Sequence, residues 1–272
     1  MSPSPAPPAS SPSGAASDFA GRTVLITGGA SGIGYETAGL LAARGAALVL
    51  ADMNERALRK AAAGLRNSGH AVTAVRANVT EESDVIRLMA AAFKDAAPDG
   101  LVNCAGIYPV TPLLELSAEE WTRVIATNLS GPFLVTREFA RRLIDSRQPG
   151  QVVNISSTAS RLARPGIAHY GSSKAGLNQL TAILAIELAP HDIRVNAVLP
   201  GVIGTEAVLA ATRTPAGAAE NEAKLKKIPQ GRLGAPRDIA EMVAFLLSPA
   251  SGYCTGGLFT VDGGFTLGIP AY

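Results

Sequence analysis

From Arg22 onward the chain alternates short apolar, β-branched runs with longer segments of helical pattern. The runs are Thr23 to Thr27, Ala47 to Ala51, Ala71 to Val75, Gly100 to Asn103, Gln151 to Ile155, Arg194 to Leu199 and Leu258 to Val261. Helical patterns fill the gaps, among them Ile33 to Arg44 and Glu81 to Ala96. Strands apolar along their whole length, separated by helices, are expected when both faces of a parallel sheet are covered. The expected fold class is α/β, a single-domain doubly wound parallel sheet of about seven strands with helices on both faces. Ser117, three residues before Glu120, has capping-box spacing and places the start of a helix carrying Trp121 and Val124.

A length of 272 residues suits one large domain of this kind. Residues 1–18 are nearly all Pro, Ser and Ala and read as a disordered tail, leaving 19–272 as the domain. That tail lacks the positive start and apolar run of a secretory signal and the arginines of a transit peptide. The stretch near 204–229 is a long connection rich in small residues, which predicts a substrate loop.

Charge narrows the partners. A net charge of +2 without a long basic block predicts no nucleic acid and no anionic membrane partner. No apolar run approaches the roughly 20 residues of a membrane span. The two cysteines, Cys104 and Cys254, and three scattered histidines form no metal-ligand pattern, so no metal is expected and a reducing, cytoplasmic setting fits.

The first strand runs into Thr27-Gly28-Gly29-Ala30-Ser31-Gly32-Ile33-Gly34, a glycine-rich turn that opens a helix. Glycine there permits positive φ and lets a pyrophosphate approach backbone without meeting a Cβ, while the helix N-terminus faces the phosphates. With the strand before it and the helix after it, this is a Rossmann-like dinucleotide cradle. Asp52 ends the second strand, where its carboxylate would accept bonds from ribose hydroxyls and repel a 2′-phosphate; capping the next helix near Asn54 is the alternative. No basic residue sits among Gly29, Ala30 and Ser31 or directly after Asp52, so local charge favours NAD, with NADP second.

Tyr170 and Lys174 stand four residues apart, on one face of a helix. A cation beside a phenol lowers its pKa toward a range useful for proton transfer. Ser157 follows the strand ending at Ile155 and is placed to hold a substrate oxygen beside that phenol; Ser156 competes, with a turn cap as its other reading.

The set Thr27 to Gly34, Asn103-Cys104-Ala105-Gly106, Asn128, Ser157, Tyr170, Lys174 and Pro200-Gly201 resembles the short-chain dehydrogenase/reductase family, from Gly21 to Phe265. The resemblance implies an NAD-dependent oxidoreductase acting on a secondary alcohol or ketone. It implies Tyr170 as general acid/base, Lys174 lowering its pKa and binding the nicotinamide ribose, Ser157 steadying the substrate oxygen, and Asn128 holding a water that links Lys174 to solvent. Cofactor contacts are implied at Gly28, Ser31, Gly32, Ile33, Gly34, Asp52, Asn78, Val79, Asn103, Ala105, Gly106, Tyr170, Lys174, Pro200, Gly201, Ile203 and Thr205. Two positions depart from the family pattern. Asn78 replaces an aspartate that accepts from the adenine amino group, and Cys104, a small buried residue, replaces an asparagine.

The substrate pocket is expected to use Ser157, Thr158, Ala159, Ile107, Tyr108, Val202 and parts of Glu206 to Lys227, a mainly apolar or small lining. His169 reads as a surface or interface histidine. Leu177, Leu180, Leu184 and Leu188 form a core stripe, and the resemblance implies a homotetramer or homodimer. Three rival readings remain. An NADP-linked 3-oxoacyl-thioester reductase would share the scaffold; a serine hydrolase would need a Gly-x-Ser-x-Gly elbow, which is absent; a non-catalytic dinucleotide sensor would need no Tyr170, Lys174, Ser157 and Asn128 together.

Overall fold

The computed structural model describes residues 18–94, 97–211 and 214–268. The expected tail, apart from Asp18, and the expected end of the helix at Asp95 and Ala96 lie outside the described residues. The elements run β1 (Thr23–Thr27), α1 (Gly32–Ala43), β2 (Ala47–Asp52), α2 (Glu55–Asn67), β3 (Val72–Arg76), α3 (Glu82–Ala92), β4 (Gly100–Asn103) and α4 (Ala118–Ile125). They continue with α5 (Gly131–Ser146), β5 (Gly150–Ile155), α6 (Ala168–Leu188), β6 (Ile193–Pro200), α7 (Glu206–Ala211), α8 (Pro215–Leu225), α9 (Pro236–Leu247) and β7 (Leu258–Val261).

The strands form a single seven-stranded sheet in the order β3-β2-β1-β4-β5-β6-β7, and every neighbouring pair is parallel. Two apolar clusters sandwich it. Val24, Ile26, Leu48, Leu50, Val102 and Val153 face one side, where α1, α2 and α9 pack. Leu25, Val49, Leu101 and Val152 face the other, against α3, α5 and α6. This is the period-two alternation of a strand buried on both faces, and each such Val, Leu or Ile contributes roughly 1.5–3 kcal/mol. The stripe on α6 divides along the helix: Leu177 and Leu184 are buried, while Leu180 and Leu188 pack partly buried against the second cluster.

Local chemistry sets the helix ends. Asn54 caps α2 by accepting from the Ala57 amide at 3.1 Å, and Ser117 caps α4 by accepting from the Glu120 amide at 3.1 Å. Only that half of the expected capping box forms, because the Glu120 carboxylate turns to Thr111 and His169. The stretch near 204–229, read from sequence as a loop, instead carries the short helices α7 and α8. Thr214 accepts from the Gly217 amide and Pro215 occupies the first turn, so helix-starting chemistry outweighs the small-residue composition that suggested a loop. No helix among the described residues is long and apolar enough to cross a membrane.

The chain leaves β1 toward β2 and β3 on one side and returns to place β4 on the other. That reversal opens a crevice beyond the carboxyl ends of β1 and β4, the place where open α/β sheets bind ligands.

Candidate active site

The segments singled out from sequence follow the carboxyl ends of β1 to β6. At the end of β1, Gly28 has φ +65° and a Cβ there would meet the Ala105 backbone at 2.8 Å, so the cradle and the β4 loop touch only because Gly28 has no side chain. A Cβ on Gly34 would collide with the carbonyl oxygen of Gly28. Thr27 Oγ1 joins the same two loops by accepting from the Cys104 and Ala105 amides at 3.2 and 3.3 Å. Ser31 is the exposed N-cap of α1 and its side chain makes no capping bond, so the cap leaves the first-turn amide donors of α1 unanswered. Across from it the Thr205 methyl lies 3.7 Å from the Cβ position of Gly32. A cleft walled by bare glycine backbone at a helix N-terminus fits a dinucleotide pyrophosphate.

Asp52 sits at the end of β2. Its Oδ1 accepts from the Asn54 amide at 2.9 Å, and its Oδ2 from the Ala30 amide at 3.3 Å. The carboxylate therefore supports the turn into α2 and reaches the glycine loop, while the cap of α2 itself is Asn54 and not Asp52. The β2–β3 register places Arg76 opposite Asp52, a cation that a scan of the local sequence does not reveal. Asn78 Oδ1 accepts from the Thr80 amide at 3.2 Å and its hydroxyl at 3.0 Å, which fills the acceptor expected for adenine. The Val79 side chain is buried beside Gly131. The Asn103 amide points into the core, donating to Thr136 and Asn154 at 2.9 and 2.8 Å, because strand alternation turns it away from the crevice.

Asn128 lies in a π-helical turn, Ala126–Ser130, between α4 and α5. Its Oδ1 accepts from the Ile107 amide and its Nδ2 donates to the Ile107 carbonyl, both at 2.9 Å, and Nδ2 also reaches Ser173 Oγ at 3.3 Å. The Asn128 side chain thus joins the β4 loop to α6. Gly106 sits between this amide and Lys174: its Cβ position lies 3.3 Å from Asn128 Oδ1 and 3.8 Å from Lys174 Nζ.

Ser157 and Tyr170 do come together, near enough for the Ser157 hydroxyl to act on the phenol. Ser157 Oγ also accepts from the Ala159 amide at 3.1 Å, which orients it, while Ser156 is buried and bonded to Asn178 and the Lys174 carbonyl. Lys174 is 5% exposed, and its Nζ lies 5.8 Å from the centre of the Tyr170 ring and donates to the Ile155 carbonyl at 2.8 Å. Burial lowers its pKa to about 8. Burial likewise pushes the Tyr170 phenol above its ordinary value, opposed by the Ser157 hydrogen bond and the charge of Arg164. The expected lowering by Lys174 is not the governing influence; desolvation is. Cys104, packed against the core, is pushed to about 12 by burial and stays a neutral thiol.

Tyr108 stacks edge-on to Tyr170 with ring centres 4.4 Å apart, and the Arg164 guanidinium lies 5.3 Å from the Tyr108 ring centre. Sequence reasoning passed over Arg164 because nothing in the loop before α6 marks it. His169, read as a surface residue, is fully buried: its Nε2 meets Glu120 Oε1 at 3.0 Å. Glu120 also accepts from Thr111 Oγ1 at 2.6 Å, and the Thr111 amide donates to the Gly166 carbonyl at 2.8 Å. The loop bearing Tyr108 is thereby tied to α4 and to the loop before α6.

The Pro200–Thr205 segment closes the far side. The Pro200 carbonyl accepts from Thr158 Oγ1, Gly201 donates to the Val261 carbonyl, and buried Ile203 bridges to Gly234. Beyond it lies a cavity of about 440 Å³ between Val202, Ile203, Asp238 and Gly263; Ser157, Tyr170 and Lys174 do not line it.

Residues 28–266 match the protein-family model described as Enoyl-(Acyl carrier protein) reductase. The chain is 41% identical over 250 residues to the cis-4-hydroxycyclohexanecarboxylate dehydrogenase of Sinomonas cyclohexanicum, covering 91% of this chain and 98% of that protein. A solved short-chain type dehydrogenase/reductase from Mycobacterium marinum superposes with a TM-score of 0.85 at 34% identity, over 92% of this chain and 97% of that one. A solved Agrobacterium tumefaciens protein with bound NADP superposes with a TM-score of 0.83 at 35% identity, over 91% and 97%. The chain belongs to the short-chain dehydrogenase/reductase family, and is an oxidoreductase that exchanges hydride between a nicotinamide dinucleotide and the carbinol carbon of a secondary alcohol or its ketone.

Proposed function

We propose that the dinucleotide is NAD(H) and that Tyr170 is the general acid/base of the reaction. The observation that carries the second part is the meeting of Ser157, just past the end of β5, with Tyr170, with buried Lys174 on the next turn of the same helix. The bound dinucleotide supplies or accepts the hydride. Ser157 holds the substrate oxygen, and Tyr170, a phenol whose pKa burial raises further, donates its proton to that oxygen as the ketone becomes an alcohol. In the oxidative direction Tyr170 must start as phenolate and take the proton from the alcohol, and the charge of Lys174 favours that form. Asn128 holds the Ile107 backbone, and with it the floor of the cleft, in place. Ala159, Tyr108 and Val202 wall the substrate.

The glycine cradle with Ser31, Ile33 and the Pro200–Thr205 segment would hold the pyrophosphate and nicotinamide, and Ala105 and Gly106 would line the adenosine-to-ribose path. Asp52 supports NAD because a ribose hydroxyl can donate to it and a 2′-phosphate cannot. NADP is the second reading, favoured by Arg76 beside Asp52. An acyl-thioester substrate is kept as the alternative by the description of the matched family model. Exposed Phe133, Ile183 and Ile186 on α5 and α6 support a homo-oligomer, and two free cysteines suit a reducing cytoplasm.

The test is a panel of polyols, hydroxy esters, cyclic alcohols, diketones and a 3-oxoacyl thioester, followed at the nicotinamide absorbance with each dinucleotide. Turnover of a cyclic or open-chain secondary alcohol with NAD at higher kcat/KM than with NADP is expected. Preference for NADP and the thioester would replace this reading with the alternative.

A further inference from the structure

Arg161 and Arg164 lie on the loop between β5 and α6, and both are exposed. Neither holds a carboxylate among the described residues, whereas Arg22, Arg137, Arg232 and Arg237 each do. Arg164 differs from Arg161 in having a fixed seat: its guanidinium lies over the face of Tyr108, whose ring is packed edge-on against Tyr170. Tyr108 itself is held by a loop fastened through Thr111 to Gly166 and Glu120. Cation–π stacking satisfies the flat face of a guanidinium and leaves its N–H edge free for hydrogen bonds in the ring plane. That edge has a fork geometry matched to a carboxylate. Exposed apolar side chains neighbour it along the two loops: Tyr108 and Val110 on the one after β4, and Leu162 two residues before Arg164.

We infer that Arg164 recognises a carboxylate on the substrate, several bonds from the carbon that exchanges hydride, and so selects hydroxy acids or oxo acids over neutral alcohols and ketones. The inference builds on the assignment of Tyr170 as acid/base, since it measures position from that hydroxyl. A hydrocarbon or ring between the two polar ends would lie on the Tyr108, Val110 and Leu162 side chains. The unfilled cation then acts through binding of the substrate rather than through the proton transfer, so its loss falls on KM and not on kcat.

The experiment uses the full chain saturated with reduced dinucleotide. Cyclohexanecarboxylate and cyclohexanecarboxamide are titrated by calorimetry into wild type, Arg164→Gln, Arg164→Lys, Arg161→Gln and Tyr170→Phe. The expected result is that the carboxylate binds at least about tenfold more tightly than the amide. Arg164→Gln should erase that difference, Arg164→Lys should keep part of it, and Arg161→Gln should keep all of it. In parallel, Arg164→Gln should raise KM for 4-oxocyclohexanecarboxylate about tenfold and leave its methyl ester unchanged. Equal affinities for the two probes, no binding of either, or a preference that survives Arg164→Gln overturns the proposal. Tyr170→Phe should keep the anion preference while losing turnover. Persistent turnover in that variant would refute the acid/base assignment and leave the Arg164 comparison to be judged on binding alone.

Discussion

Lys174 donates its Nζ proton to the carbonyl oxygen of Ile155 at 2.8 Å, so the ammonium on α6 is anchored to the end of strand β5, one residue before the serine pair. The bond ties the helix that carries Tyr170 to the strand that delivers Ser157. It also gives a partner to the charge of a side chain 5% exposed, whose pKa burial lowers to about 8. The carbonyl replaces part of the lost hydration, and burial removes the rest.

That anchoring has a measurable stability consequence. Below about pH 8 Lys174 is protonated in the folded and unfolded chain alike, and its desolvation opposes folding in full. Between about 8 and the ordinary value of 10.5 the unfolded chain binds a proton that the folded chain does not, so stability rises with pH. Relative to Lys174→Met, the dinucleotide-free protein should gain up to about 3 kcal/mol between pH 7 and pH 10.5 in urea unfolding. Parallel pH profiles for the two proteins would show that the folded-state pKa of Lys174 is not lowered.

Tyr170→Phe should reduce kcat by about 10²- to 10⁴-fold, because only the proton donor is removed. Dinucleotide affinity, measured by quenching or calorimetry, should stay within about twofold. Normal turnover in this variant would remove Tyr170 from the chemistry.

Asp52 and Arg76 should pull cofactor choice in opposite directions. Asp52→Ala should lower the NADH to NADPH ratio of kcat/KM by about tenfold, and Arg76→Ala should raise it. Ratios unchanged in both variants would mean that another group reads the ribose.

Glu120→Ala releases Thr111 and His169 together, and with them the loop that carries Tyr108. KM for the substrate should rise about fivefold while dinucleotide affinity holds, since Tyr108 and Thr111 lie beyond the Ala105–Gly106 part of the loop that is assigned to the dinucleotide. An unaltered KM would show that the Thr111–Gly166 bond alone holds the loop.

Gly34→Ala tests the cradle by packing rather than by chemistry. The added methyl meets the Gly28 carbonyl, backbone against backbone, and should cost about 2 kcal/mol or more in urea unfolding. Wild-type stability would mean that the loop yields without strain.

Much of this protein was legible along the chain. The strand runs lie within one or two residues of β1 to β7, because a strand buried on both faces, as β1, β2, β4, β5 and β6 are, has a composition few other elements share, and the partly exposed edge strands β3 and β7 keep the same β-branched bias. The glycine turn after β1 and the Tyr170–Lys174 spacing on α6 were readable for the same reason: each is contained within a few consecutive residues. His169 was misread, since its burial depends on Glu120 from a different helix, and the two short helices within 204–229 went unread because the cap of α8 carried less weight than the small residues around it.

What the sequence determined by itself is therefore the layered sheet, the cradle for a dinucleotide and the order of the reactive side chains, all governed by local pattern. What only the tertiary structure decided is which distant groups surround them: Arg76 opposite Asp52, Asn128 clasping Ile107, Ile155 receiving Lys174, and Arg164 seated on Tyr108 beside Tyr170. Register and helix packing bring these pairs together. Charge, desolvation and hydrogen bonding act through space rather than along the backbone, so the electrostatics of the cleft exist only once the sheet has closed its layers.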